Sequence, residues 1–264
     1  MSDVQPGLAS IKYICHPMAA YQHDTVVPFK ESGNSKKKQV EEMFDKIAFR
    51  YDFLNHFLSG GIDVGWRKKA IRQLVSLQPK KVLDVATGTA EVAILSYKIL
   101  KPEIIIGIDI SEGMLDIGKK KIVSRGLQKH IELLKGDCET INFEDNSFDA
   151  VTVAFGVRNF ENLEKGLNEI KRILRPNGKL VILEFTKPTL PIIKNLYNFY
   201  LNIVTPALGK LISKNKNAYR YLNDSVQKFP EREVFKNILK KIGYKNATCK
   251  ILSLGICSIY CGEK

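Results

Sequence analysis

Short apolar runs alternate with helical stretches between residues 81 and 185, and this rhythm restricts the fold more than any other feature of the chain. The runs at 81–86, 104–110, 131–135, 148–154 and 179–185 are brief and almost continuously apolar, as strands buried on both faces must be. Helical periodicity over 90–100, 114–126 and 163–174 separates most of them. The pattern predicts an open, doubly wound α/β sheet. After a helix at 231–242, only Ser253-Leu254-Gly255 divides the runs 247–252 and 256–261. Three residues permit a hairpin but not a parallel crossover, so the last strand is expected to run antiparallel.

Flanking segments frame this core. Val40, Met43, Phe44 and Ile47 form a helical stripe that continues through 51–58 to a break at Gly60-Gly61, and another helix is expected over 66–77, ended by Pro79. Together they make an N-terminal helical lid at 40–78. Residues 1–38 read as a loose leader, broken by Pro6, Gly7, Pro17, Pro28 and Gly33; Met18 offers a second start, which leaves residues 1–17 open as translated or not. A mostly helical insert occupies 188–229.

The formal net charge of +13 fits an anionic partner, and it fits general solubility equally well. Five cysteines without a CxxC, and four histidines in no ligand-like cluster, point to a reducing, cytoplasmic setting without a metal centre. The first 30 residues lack the apolar core of a secretory signal, and no apolar stretch reaches the roughly 20 residues of a membrane span.

The turn Asp84-Val-Ala-Thr-Gly-Thr-Ala-Glu91 lies where the first strand meets its helix, a place where backbone N–H groups face a ligand. Asp109 ends the second strand, placed to accept hydrogen bonds from a ribose. A nicotinamide dinucleotide suits this geometry too. Two details favour S-adenosylmethionine: Gly88 is the turn's single glycine, and Asp84 would repel a pyrophosphate but suit an ammonium and a sulfonium. Ala90, with its methyl group, is expected to take a negative φ or to displace the ligand slightly. Asp137-Cys138, after the third strand, would meet the adenine, or Asp137 merely caps a turn.

Three longer segments resemble one family. YDFLNHFLSGGIDVGWR over 51–67 looks like the N-terminal signature of the ubiquinone/menaquinone biosynthesis C-methyltransferases. FGVRN over 155–159 is similar to their post-strand motif, and RILRPNGKLVILEFT over 172–186 to their second signature. YRYLNDS over 219–225 and Phe229-Pro230 fit as well, so the likeness runs from about Val40 to the end. It implies a class I methyltransferase domain over 39–264, Rossmann-like, with a mostly parallel seven-stranded sheet. It implies cofactor contacts at Gly88, Thr89, Asp109, Asp137 and Cys138. The chain departs from the family pattern at Ala90, where a glycine is usual, at Ala154, often serine, and at Asp63, often a basic residue or an amide.

The implied reaction is C-methylation of a polyprenyl quinol, demethylmenaquinol in preference to the benzoquinol precursor of ubiquinone. A ring carbon is nucleophilic in the reduced quinol, most of all as a phenolate, and an ordinary phenol titrates near pH 10. Arg158 is the candidate that lowers this value and orients a water, although it could instead close the fourth strand as a structural ion pair. Tyr51 and Asn159 are expected at the substrate, with His56 and Asp63 in reserve on the lid.

The stripe Ile193, Leu196, Tyr197, Tyr200, Leu201, Val204 and Leu208, bordered by Lys194, Lys210, Lys214 and Lys216, together with 44–58, is expected to form the quinol mouth and to meet anionic lipid at the inner face of the membrane. A packed amphipathic helix gives the same pattern. A homodimer stays open. Dispersed basic residues argue against nucleic acid as a partner. An RNA methyltransferase, a nicotinamide-dependent oxidoreductase and a silent cofactor-binding partner remain as rivals.

Overall fold

The computed structural model describes residues 21–191, 195 and 216–264. Seven strands form one sheet in the order β3-β2-β1-β4-β5-β7-β6. They are β1 (Lys81–Val85), β2 (Ile104–Asp109), β3 (Ile131–Lys135), β4 (Phe148–Ala154), β5 (Leu174–Phe185), β6 (Lys245–Leu252) and β7 (Cys257–Glu263). The first five pair in parallel, and β7 runs antiparallel between β5 and β6. This is the mostly parallel sheet with an antiparallel last strand expected from the short link at 253–255.

The helices are α1 (Lys36–Leu58), α2 (Ile62–Ile71), α3 (Glu91–Leu100), α4 (Glu112–Ser124), α5 (Leu163–Ile173), α6 (Lys216–Lys228) and α7 (Glu233–Ile242). The helix expected over 66–77 begins earlier, at Ile62, and tightens to a 3-10 turn over Arg72–Leu77. Two apolar cores cover the two faces of the sheet. Leu163, Leu167, Ile170, Phe235 and Leu239 of α5 and α7 pack on one face. Trp66, Ala93, Ile94, Leu115 and Ile122 of α2, α3 and α4 pack on the other. Strands between them carry apolar side chains on both sides, which is why their sequences lack alternation. The edge strand β6 is largely exposed.

A third cluster forms a roof: Val26, Val40 and Met43 pack with Ala218 and Tyr221 of α6. The part of the expected leader from Tyr21 onward is thus folded onto the domain. His23 is fully buried, Tyr21 donates its hydroxyl to Glu164 Oε1 at 2.5 Å, and Gln39 Oε1 accepts from the Phe29 N–H at 2.9 Å. The apolar stripe expected between Ile193 and Leu208, like residues 1–20, lies outside the described residues. Among the described residues, no helix is long and apolar enough to cross a membrane.

Candidate active site

The strand order reverses between β1 and β4, so the turns leaving their carboxyl ends diverge and open a crevice, the usual place for a ligand in such sheets. Helix α1 lies across this crevice and divides it into two cavities.

The first cavity, of about 690 Å³, is lined by Gly88, Asp109, Asp137 and Cys138 from the turns after β1, β2 and β3, and by Lys37, Val40, Phe44 and Tyr51 of α1. At Gly88 (φ +55°) a Cβ would meet nothing within 4 Å, so this turn offers open backbone to an occupant. Asp109 fixes the turn: its Oδ2 accepts the Gly88 N–H at 2.8 Å and its Oδ1 the Ser111 N–H at 2.9 Å. Burial raises its pKa to about 6. Asp137 accepts the Lys37 ammonium at 2.5 Å and the Glu139 N–H at 2.9 Å; despite the cost of burial, these partners hold its carboxyl below the ordinary value. Burial pushes the Cys138 thiol well above its usual range.

Three sequence expectations change. Ala90 takes φ +65° rather than a negative value, because the turn alternates left-handed residues at Ala86, Gly88 and Ala90. Asp84 does not present free oxygens to a cation, since its carboxylate accepts the Thr87 and Thr152 hydroxyls at 2.6 Å each. It is buried, which raises its pKa to about 6. Thr89 is turned to the lid: its hydroxyl donates to Asp52 at 2.5 Å and accepts from Lys121 at 3.0 Å, while Lys121 also pairs with Asp52 and Glu91.

The second cavity, of about 740 Å³, is mostly apolar and is lined by Met43, Phe44, Ile47, Tyr51, Phe155, Phe185, Tyr221 and Leu222, with Ser59, Asp63, Arg67, Arg158 and Asn159 as its polar groups. Phe44, Tyr51, Phe155 and Asn159 line both cavities and form the partition between them.

Phe155 stacks on Phe185 with ring centres 4.5 Å apart, Arg67 lies over the Phe155 ring and Arg158 over the Phe185 ring. Phe155 holds this place at φ +58°, a strained conformation for a bulky residue of the kind that collects at functional sites. Arg158 Nη1 donates to the Phe155 carbonyl and to Glu184 Oε1, each at 2.6 Å. Burial opposes its charge, yet Glu184 outweighs this and raises the pKa. Asn159 Oδ1 accepts the Tyr221 hydroxyl at 3.1 Å.

Thus Gly88, Asp109, Asp137, Cys138, Tyr51 and Asn159 come together at the first cavity, Arg158 at the second, and Thr89 stands behind the turn. The sequence reading overlooked Arg67, Lys37, Asp52 and Glu184. Only Glu184 carried a visible signal: one acid inside the apolar run LVILEF.

The family model described as the ubiE/COQ5 methyltransferase family matches residues 32–264. A demethylmenaquinone methyltransferase of Bacteroides fragilis is 47% identical over 244 residues, covering 92% of this chain and 99% of the relative. A ubiquinone/menaquinone biosynthesis C-methyltransferase UbiE of Geotalea daltonii is 44% identical over 230 residues, covering 87% and 97%. Among solved structures, a SAM-dependent methyltransferase from Aquifex aeolicus aligns with TM-score 0.50 at 20% identity, over 70% of this chain and 81% of that one. A SAM-dependent methyltransferase from Thermotoga maritima gives 0.57 at 18%, over 84% and 99%. At such identities the likeness concerns the fold.

Proposed function

From the premise that this chain belongs to the ubiE/COQ5 methyltransferase family, we propose that it moves a methyl group from S-adenosylmethionine to a ring carbon of demethylmenaquinol. The chain is a SAM-dependent methyltransferase of menaquinone or ubiquinone biosynthesis; the naphthoquinol as acceptor is the finer reading. It is supported by relatives named demethylmenaquinone methyltransferase in both Bacteroides fragilis and Porphyromonas gingivalis.

One observation carries the mechanism: a cavity edged by carboxylates and an apolar cavity share a thin partition of side chains. The open backbone at Gly88 and the carboxylates of Asp109 and Asp137 suit a nucleoside carrying an amino acid. In this reading Asp109 takes the ribose hydroxyls and Asp137 the adenine amine, with Cys138 against the ring. S-adenosylmethionine supplies an electrophilic methyl on a sulfonium. The apolar cavity takes the quinol ring, and Arg158, held by Glu184, favours the phenolate by its charge. Arg158 cannot itself accept a proton. Asn159 and Tyr51, in the partition, orient the ring toward the methyl, and alignment of this kind contributes about 7–11 kcal/mol in favourable cases.

Phe49, 91% exposed on α1 beside the exposed Lys46 and Arg50, supports a docking of this face on anionic lipid at the inner side of the membrane. Sedimentation with anionic vesicles at low salt tests that part. The central test is methyl transfer by purified protein to a reduced short-chain demethylmenaquinone and to the benzoquinol precursor, with S-adenosylhomocysteine binding measured by titration calorimetry. Binding of that product without transfer to either quinol would refute the acceptor.

A further inference from the structure

Methylating a neutral quinol with a sulfonium leaves one proton over for each methyl moved, so the acceptor cavity has to discharge a proton. This proton balance holds if the acceptor is the quinol proposed for the apolar cavity. The ring hydroxyl loses its proton, and the ring carbon bonds the methyl as the sulfur–methyl bond breaks with its electron pair left on sulfur. The ring C–H proton then moves to the ring oxygen. The balance is one proton out.

Most ionisable groups on this cavity cannot carry it. The guanidinium groups of Arg67 and Arg158 are donors only and offer a proton no acceptor atom. Burial raises the Tyr221 hydroxyl well above its ordinary pKa. Glu184, behind Arg158, is completely buried and so has no face on solvent. Tyr51 lines both cavities and has the part of orienting the ring between them.

Asp63 differs. It lines the cavity, its side chain is 5% exposed, and its Oδ2 is held by Arg67. Its Oδ1 accepts the Ser59 hydroxyl at 2.7 Å and lies 3.5 Å from His56 Nδ1. Ser59 also lines the cavity, while the His56 side chain is 65% exposed. Ser59 and Asp63 are thus hydrogen-bonded at the cavity wall, and the exposed His56 ring stands 3.5 Å beyond Asp63 on the way to bulk water.

We propose that Ser59, Asp63 and His56 form the proton exit for the quinol hydroxyl. Ser59 Oγ takes the hydroxyl proton as it gives its own to Asp63 Oδ1. Asp63 passes that proton to His56 Nδ1, and His56 releases it to solvent. Arg67 is a positioning residue: by occupying Oδ2 it leaves Oδ1 as the relay atom. The glycine at 61 belongs to the same construction, because a Cβ there would stand 3.3 Å from His56 Cε1 and displace the ring.

The test is the single-turnover rate of methyl transfer to a short-chain quinol, with S-adenosylhomocysteine affinity as the control for folding. His56→Ala, at an exposed position, is expected to slow transfer by about 10- to 100-fold, at or below the usual contribution of acid–base groups, with unchanged affinity. Added imidazole is expected to restore it. Asp63→Asn is expected to be slowed at least as much and not to be rescued. A His56→Ala rate within twofold of the unsubstituted protein, or a loss that imidazole leaves untouched, overturns the relay. Failure of the unsubstituted protein to methylate the quinol overturns the acceptor reading itself, and the relay falls with it.

Discussion

Arg158, on the turn that follows β4, meets Glu184, near the end of β5, with 2.6 Å between Nη1 and Oε1, and both side chains are buried. Glu184 also accepts the Phe185 N–H at 2.9 Å, so one carboxylate holds the guanidinium and the local backbone together. The pair fixes a positive charge at the wall of an apolar cavity, where water cannot screen it strongly.

Removing the acid strands that charge. Glu184→Ala is expected to lower folding stability by about 3–5 kcal/mol, the usual cost of breaking a buried pair from one side. Urea denaturation followed by circular dichroism measures it. A loss under 1 kcal/mol would mean that Arg158 finds solvent or another partner.

Asp84 gives a pH signature. Burial raises its folded pKa to about 6 from an ordinary 3.8. The folded chain therefore keeps this proton in a window where the unfolded chain has released it, and the group subtracts stability as pH rises from about 4 to 6. Asp84→Asn does not titrate. The stability difference should shift in favour of the variant by about 2.4 kcal/mol between pH 4 and pH 7. Denaturation curves at several pH values check this; a constant difference would contradict it.

Gly118 on α4 faces the cofactor turn. A Cβ there would lie 2.7 Å from Leu133 Cδ1 and 3.2 Å from the Thr89 carbonyl carbon. The leucine can rotate, but the backbone cannot. Gly118→Ala is expected to weaken S-adenosylhomocysteine binding measurably by calorimetry. Overpacking of about 1–3 kcal/mol outweighs or cancels the helix gain of about 1 kcal/mol.

Asp45 ties α1 to the start of α4: its Oδ1 accepts the Ser111 hydroxyl at 2.6 Å and the Gly113 N–H at 3.0 Å. Asp45→Ala should speed hydrogen exchange across α1 while leaving β1 and β4 protected. Equal protection of α1 in the two proteins would show that the latch is dispensable.

The sheet was legible because strands buried on both faces leave unbroken apolar runs, as at 104–110, and because three residues cannot carry a parallel crossover. Boundaries moved where backbone geometry intervened: β5 starts at Leu174, five residues before its apolar run. Gly88 and Asp109 could be placed by their distance from strand ends. The left-handed Ala90 could not, since its conformation is imposed by the neighbouring turn residues and not by its own preference. Lys37 and Asp52 were hidden for another reason. They reach the site from a helix far away in sequence; 44–58 was expected at the quinol mouth, but nothing in the segment marks that the helix also meets the turns after β1 and β3.

Trp66 of the lid donates its indole N–H to Ser253 Oγ at 2.7 Å, on the turn between β6 and β7, and β7 itself slips between β5 and β6. A nascent chain emerging from the ribosome thus cannot close its sheet until Cys257–Glu263 has been synthesised, although every side chain that lines the acceptor cavity lies earlier in the chain.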